Sequence, residues 1–323
     1  MRTATVTKFG GPDVFELVRQ PDPTPGPGQV IIAVAVADTL WLETMVRSGA
    51  GQDYWPMRPP YVPGNGVAGT VLATGAGVDP ALAGRRVVAH TGSEGGYADR
   101  VAVAAAEVSQ IPGQLDFVTA AALLHDGPTA LALFDLTKAG PGDAVLVVGA
   151  SGGLGLLSVQ LARARCERVV ALARTAKRAR VAELGPDAVI DSGAPDWPDQ
   201  ARAALPADGA DVVLDNIGGD LGEASYALTA PGGRFSAHGT PSGRFAQIDR
   251  DAARRDGRTV TGIEAVQMAP DVLKRYTEQA LAQAAAGTIA PVIGQIFPLE
   301  RAADAHTAIE NRTTFGKTLL TTT

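Results

Sequence analysis

The pattern of apolar and polar residues divides the chain into three successive parts. From Thr3 to Val103, short alternating runs are separated by turns rich in Gly and Pro, which predicts the strands of a small, partly open β-barrel. From Asp116 onward, apolar strands alternate with helical segments, a pattern typical of a doubly wound parallel α/β sheet. After residue 288 the chain returns to strand, helix (302–310) and strand. We expect this last part to rejoin the first.

The stretch from Asp143 to Gly155 carries the clearest motif. Five apolar residues, Ala144 to Val148, predict a strand buried on both faces, and a glycine-rich turn and a helical run follow. Small residues in such a turn let the N–H groups of the helix N-terminus approach a pyrophosphate. The alternative is an ordinary strand-to-helix turn with spare glycines. Ala150 replaces the first glycine of the dinucleotide fingerprint. The residues expected at the cofactor are Gly149, Ala150, Ser151, Gly152, Gly153 and Leu154.

The tip of the second strand of this sheet indicates which dinucleotide binds. Folds that bind NAD place a carboxylate there for the ribose 2′-OH, whereas this chain has Arg174, Thr175, Lys177 and Arg178. A guanidinium grips a 2′-phosphate bidentately, and a lysine adds a point charge. A solvated basic helix start is the alternative interpretation. The sequence therefore favours NADPH over NADH.

Composition excludes several classes of protein. The 323 residues are 46% hydrophobic and 19% charged, with a formal charge of −6, so we expect a well-cored globular protein that does not bind nucleic acid. No signal peptide and no run of membrane-spanning length stand out, and the single cysteine, Cys166, cannot form an internal disulfide. We therefore expect a cytoplasmic protein with no membrane partner.

The chain as a whole resembles the zinc-free quinone oxidoreductase (zeta-crystallin-like) branch of the medium-chain dehydrogenase/reductase superfamily. The matching stretches span nearly the full length; they are ETMVRSG, YVPGNGVAGTV, KAGPGDAVLVVGASGGLG, DVVLDNIGG, PGGRFSAHG and IGQIFPLERAADAH with TFGKTLL. The resemblance implies a GroES-like catalytic domain (residues 1–117 and 288–323), a Rossmann domain (118–287) that binds NADPH, and a homodimer. It also implies that Thr129, Asn216, Gly239 and Lys317 contact the cofactor.

Metal catalysis is not expected. The zinc alcohol dehydrogenases of the same superfamily hold their catalytic metal with a Cys, a His and a second Cys or acidic residue. The first domain of this chain has no cysteine, and His90 and His125 have no partners at metal-ligand spacing. Without a Lewis acid, the easier reaction is hydride transfer to a quinone or to an alkene conjugated to a carbonyl. The sequence thus predicts a metal-free reductase of a small, planar quinone or enone.

Two residues are candidate proton donors. Tyr54 lies roughly where related enoyl reductases carry a catalytic tyrosine, although it could equally be an aromatic wall residue. His125 precedes Thr129, and an imidazole there could act as an acid near neutral pH. The neighbouring aromatic residues, Trp41, Trp55 and Tyr61, suit a planar substrate or barrel packing equally well.

Other functions stay open. Leu40 occupies the position of a family asparagine, while Glu43 keeps the acidic position, so a polar contact of the better-known quinone reductases is missing. An enoyl-thioester or polyketide-type reductase would need a basic entrance, for which Arg47 and Arg58 are candidates. A weakly catalytic NADPH-binding sensor or interaction protein is a third possibility. The segment 260–263 is a candidate edge strand through which two copies could pair.

Overall fold

Strand β3, Gln29–Asp38, forms the centre of the sheet that contains both ends of the chain. It pairs antiparallel with β4 (Gly66–Thr74), with β6 (Arg100–Ala104) and with the C-terminal strand β15 (Lys317–Thr321). Val30, Ile32 and Val34, which share one face of the strand, lie in the apolar core around which the sheet curls. The predicted return of the C-terminus to the first part of the chain is therefore confirmed.

The structure is a computed structural model that describes residues 1–52 and 55–322. The chain divides into two compact units, residues 1–125 with 270–323 and residues 126–269. Besides the strands given above, the first unit contains β1 Arg2–Val6, β2 Phe15–Arg19, α1 Trp41–Ser48, β5 Arg86–His90, β7 Val108–Gln110, α2 Phe117–Leu123, α9 Pro270–Ala285, β14 Ile293–Pro298 and α10 Ala302–Glu310. Its large sheet has the order β14-β15-β3-β4-β5-β7, and β1 pairs with β2 separately.

The second unit is a parallel sheet with the order β10-β9-β8-β11-β12-β13. This is the order of a doubly wound dinucleotide-binding fold, in which the strand order reverses between β8 and β11. The predicted Rossmann fold is confirmed. Its elements are α3 Asp126–Thr137, β8 Ala144–Val148, α4 Gly153–Arg165, β9 Arg168–Ala173, α5 Arg178–Ala182, β10 Ala188–Asp191, α6 Trp197–Ala204, β11 Ala210–Asp215, α7 Gly219–Tyr226, β12 Thr229–Ala237, α8 Arg250–Arg255 and β13 Thr259–Gly262.

Two helices assigned to the nucleotide domain by the sequence lie in the first unit. The expected boundaries fell after residues 117 and 287, whereas the units divide after residues 125 and 269. Helix α2 packs on β3 and β4, and α9 packs on α2 and β7. These contacts join different parts of the first unit, and the local sequence pattern gives no sign of them.

Residues 117–137 form one apolar helical stretch, α2 followed by α3. The sequence led us to expect no run of membrane-spanning length. The 21-residue stretch is nevertheless long and apolar enough to cross a membrane by length and composition. Within the protein, 61% of its most apolar window is buried. A buried core helix passes the same test, so the stretch is weak evidence for a membrane span.

Candidate active site

The predicted phosphate-binding turn lies at the carboxyl end of β8, where the strand order reverses. Gly149 has a positive φ of 72°, and Gly152 is the N-cap of α4, with φ −84° and ψ 169°. A side chain at Gly155 would overlap the Gly149 carbonyl and would lie 2.8 Å from the Ala150 Cα. Gly155 therefore allows the start of α4 to pack against the turn, and the N-terminal N–H groups of α4 lie beside it.

Gly149, Ala150, Ser151, Gly152, Gly153 and Leu154 all belong to this turn or to the first residues of α4. Gly152 is exposed, and a Cβ added there would meet no atom closer than 4.0 Å. The space in front of the turn is thus open to a phosphate group. Ala150, in contrast, is fully buried and donates its N–H to the Leu172 carbonyl (2.9 Å). It fixes the turn to the neighbouring strand.

Asn216 and His238 join the carboxyl ends of three strands beside the turn. Asn216 donates from Nδ2 to the Val148 carbonyl (2.8 Å), and its Oδ1 lies 2.9 Å from His238 Nε2. Ser236 Oγ lies 3.1 Å from His238 Nδ1. Burial lowers the pKa of His238 to about 4, so its ring is neutral, with Nε2 as the donor to Asn216. Because the Asn216 amide is engaged at both ends, its side chain holds the loop in place.

Gly239 and Asp215 also fix the loop that contains Asn216. A Cβ at Gly239 would overlap the backbone of Asn216 and Ile217, so only glycine fits this crossing. Asp215 is fully buried, and its Oδ1 accepts N–H groups from Ile217 (2.9 Å) and Gly218 (2.8 Å). Burial raises the pKa of Asp215 to about 6. The predicted residues Asn216 and Gly239 therefore lie on a rigid rim at the end of the sheet.

The basic patch at the tip of β9 is where the sequence placed it. Arg174 directly follows the strand and is exposed; its carbonyl accepts the Lys177 N–H (2.8 Å), while its guanidinium has no hydrogen bond or ion pair with the described part of the chain. Thr175 donates to the Asp191 carboxylate, and Arg178 Nε donates to the Val189 carbonyl (3.1 Å). Lys177 is half-buried at the end of the short 3-10 turn that starts at Thr175. Of this patch, the Arg174 guanidinium is best placed to take a phosphate.

A second group of candidate residues lies in the first unit around Asp38. This carboxylate is fully buried at the end of β3, with Oδ1 2.7 Å from Lys317 Nζ and Oδ2 2.7 Å from His125 Nδ1. Burial raises the pKa of Asp38 to about 6, against the lowering effect of Lys317. The family resemblance implied that Lys317 contacts the cofactor; in the structure its ammonium group pairs with Asp38.

His90 and His125, which show no partnered spacing in the sequence, are in contact. Their rings meet edge to face with centroids 4.8 Å apart, and His90 Nε2 lies 3.4 Å from Thr277 Oγ1 on α9. Both histidines line a pocket of about 510 Å³ in the first unit. Among the described residues, no group of three or more His, Cys, Asp or Glu side chains is arranged to hold a metal ion.

Glu43 anchors a separate buried network. It accepts hydrogen bonds from the Leu40 N–H (3.0 Å), from Asn65 (3.0 Å) and from the Tyr97 hydroxyl (2.6 Å). Tyr97 in turn lies 3.1 Å from His306 Nε2. Burial raises the pKa of Glu43 to about 7. Glu43 therefore joins helix α1 to the barrel core as a structural group.

The structure decides two other expectations, those for Arg47 and Tyr61. Arg47 is 1% exposed and pairs with Glu310, so the idea that it forms a basic entrance is wrong. Tyr61 is buried with Val6, Val14 and Val46, which makes it a packing residue. Thr129 is half-buried in the first turn of α3, and Tyr54 lies outside the described residues.

Comparisons with known proteins agree with this architecture. The family model for the alcohol dehydrogenase GroES-like domain matches residues 26–113, and that for zinc-binding dehydrogenases matches residues 184–320. A quinone oxidoreductase of Lama guanicoe is 33% identical over 95% of this chain and 92% of its own. The chain therefore belongs to the quinone oxidoreductase family of the medium-chain dehydrogenase/reductase superfamily, as the sequence motifs predicted.

Solved structures support the same assignment. An Escherichia coli quinone oxidoreductase complexed with NADPH has a TM-score of 0.90, 25% identity and coverage of 99% of this chain and 100% of its own. A mycobacterial protein complexed with NADPH has a TM-score of 0.88, 29% identity and 99% coverage of both chains. The predicted GroES-like domain and the oxidoreductase class are confirmed.

Proposed function

We propose that this protein is an NADPH-dependent, metal-free oxidoreductase that delivers a hydride to a small, planar quinone or α,β-unsaturated carbonyl. The observation that carries the proposal is the open turn at Gly152, at the point of strand reversal, with the exposed Arg174 on the neighbouring strand. Ligands of doubly wound sheets bind at that reversal point. The relatives solved with NADPH support the choice of cofactor.

The chain's own residues fit NADPH in three places. The N–H groups at the start of α4 would hold the pyrophosphate, because the turn is open and the helix dipole favours negative charge. Arg174, helped by Lys177, would bind the 2′-phosphate. The rim formed by Asn216 and Gly239 would bound the nicotinamide end, and Thr129 is the further cofactor contact that the family resemblance implies. When bound, NADPH supplies the hydride.

Reduction of the acceptor also needs a proton. His125 is the donor we favour among the described residues, because it lines a pocket and is bonded to a buried carboxylate through Nδ1. Its other ring nitrogen, Nε2, would deliver the proton to the reduced acceptor. Tyr54 is the alternative donor that the family resemblance suggests.

The other two functions have less support. A thioester reductase would need basic residues at the entrance to its active site. Arg47 is buried, so Arg58 is the one of the two candidate arginines that could fill this role. A sensor without catalysis would not need a histidine held by a buried carboxylate in a pocket, yet it would bind NADPH equally well. Activity is therefore what separates the reductase from the sensor.

The test is oxidation of NADPH and NADH with a benzoquinone, a naphthoquinone, a simple enone and an enoyl thioester. We expect turnover of the quinones or the enone with NADPH and little with NADH. Turnover of the thioester alone would replace the proposal with the biosynthetic reductase. Tight NADPH binding without turnover of any acceptor would overturn the assigned reaction.

A further inference from the structure

We propose that Asp38 and Lys317 are positioning residues that orient and charge His125 as the proton donor. This inference rests on the reductase function proposed above. It assigns to Lys317 a role different from the cofactor contact that the sequence suggested, and it gives Asp38 a role that no motif in the sequence indicated.

The geometry fixes the histidine ring. Asp38 Oδ2 lies 2.7 Å from His125 Nδ1, so Nδ1 carries the hydrogen and donates it to the carboxylate. That bond commits Nδ1 to the carboxylate, so Nε2 is the nitrogen through which the ring would exchange a proton with an acceptor. The Asp38 side chain is fully buried, while that of His125 is 22% exposed. A buried anion thus holds a ring that reaches the pocket.

Lys317 keeps the carboxylate in its ionised form. Its ammonium group lies 2.7 Å from Asp38 Oδ1 and is itself 5% exposed. A buried carboxylate without a positive partner would take up a proton, because burial penalises its charged form. Lys317 pairs with one carboxylate oxygen of Asp38 and His125 bonds to the other, so Asp38 can stay negative at neutral pH. Because opposite charges attract, a negative Asp38 favours the imidazolium form of His125.

Two other titratable groups of the described chain, His90 and Glu43, do not compete for this role. His90 contacts the His125 ring, and burial together with the charge of His125 lowers the pKa of His90 to about 3. It is therefore neutral at pH 7. Its Nε2 faces Thr277 Oγ1, whose hydroxyl donates to the Leu273 carbonyl. Glu43 feels the charge of Asp38 but is bonded to Tyr97, Asn65 and Leu40.

His125 supplies the proton that completes the reduction of an enone. Hydride arrival at the β-carbon of an enone moves the alkene electron pair towards oxygen and leaves an enolate. His125 Nε2 then transfers its proton to that enolate, which completes the saturated carbonyl compound and leaves a neutral imidazole still bonded to Asp38. Solvent returns one proton to Nε2. A quinone reduced in the same way gives a hydroquinone anion, a weaker base that depends less on an enzyme acid.

The experiment compares wild type with Asp38→Asn and with the double variant Asp38→Asn/Lys317→Gln. The double variant removes both buried charges, so it guards against loss of folding in the single variant. Asp99→Asn, which changes a carboxylate paired with Arg2 in the same unit, is the matched control. Histidine ¹³C labelling gives the pKa of His125 directly, because the chain has only four histidines and substitution assigns each signal.

We expect the pKa of His125 to fall by at least about one unit in both variants and to stay unchanged in the control. The pH at which enone turnover declines should fall by the same amount, with turnover at pH 7.5 about 10- to 100-fold lower and NADPH affinity unchanged.

An unmoved His125 pKa would overturn the inference even if the reductase is active. If the double variant binds NADPH more weakly and Asp38→Asn does not, Lys317 contacts the cofactor, and the positioning role proposed for it is wrong. Absence of turnover in wild type would refute the proposed function and with it the catalytic role, whereas the titration would still test the coupling.

Discussion

Nε2 of His238 lies 2.9 Å from Oδ1 of Asn216, and this bond joins the loops that follow β12 and β11. A protonated imidazole has no acceptor nitrogen, so the buried ring can donate to Asn216 and accept from Ser236 only while it is neutral. The rim beside the phosphate-binding turn therefore depends on a histidine that must not be protonated.

We predict that this histidine makes the second unit sensitive to acid. Its folded pKa, about 4, is below the unfolded value of about 6.5, so the stability that it contributes is present above pH 6.5 and is lost as the pH falls towards 4. The full contribution is about 3 kcal/mol. In His238→Gln, chemical denaturation should show a free energy of unfolding that falls less between pH 7 and pH 4.5 than in wild type. Equal slopes in the two proteins would contradict this.

Two alanine substitutions in one turn should separate cofactor binding from folding. At Gly152 a Cβ meets open space and the backbone is extended, so Gly152→Ala should keep its melting temperature but bind NADPH at least about tenfold more weakly, because the methyl group occupies the pyrophosphate space. At Gly155 the Cβ overlaps the turn, so Gly155→Ala should lose about 1–3 kcal/mol of stability. Thermal unfolding and calorimetric NADPH titration measure both effects. If Gly152→Ala binds NADPH with wild-type affinity, the pyrophosphate does not lie against this turn.

Arg174 should determine the preference for NADPH. Replacing it with glutamine removes a charge-assisted bond to the 2′-phosphate, so NADPH affinity should fall about 10- to 100-fold while NADH affinity stays the same. Arg168→Gln is the matched control, because Arg168 is an exposed arginine at the opposite end of the same strand. Two results would contradict the prediction. Either both variants lose part of the preference for NADPH over NADH, or both keep the wild-type preference.

The exposed edge of the parallel sheet should pair with a second copy. Strand β13 is the last strand of that sheet, with Thr259 exposed on it, and bare edges are normally covered. We expect light scattering at micromolar concentration to give a dimer, and Thr259→Lys to weaken it by placing two positive charges at the two-fold contact. A wild-type monomer would refute this prediction.

The sequence predicted the parts of the molecule that local pattern determines. The run from Ala144 to Gly155 predicted strand, turn and helix because each step has its own residue signature. The Asp38–His125–Lys317 cluster was not predicted as a unit, since these residues come from β3, the turn between α2 and α3, and β15. A carboxylate ending a buried strand was the one available signal. Arg47 was wrongly predicted to be an exposed entrance residue, because its partner Glu310 lies 263 positions away in the sequence and local pattern cannot reveal the pair.

Direct hydride transfer to a conjugated acceptor is the central claim, and isotope labelling tests it most directly. NADPH deuterated at either C4 position is oxidised with an enone, and mass spectrometry locates the label in the product. We predict that one of the two cofactor epimers leaves deuterium at the β-carbon, and that a reaction in deuterated water labels the α-carbon. A product with no deuterium from either epimer, or no product while NADPH binds tightly, would contradict the account.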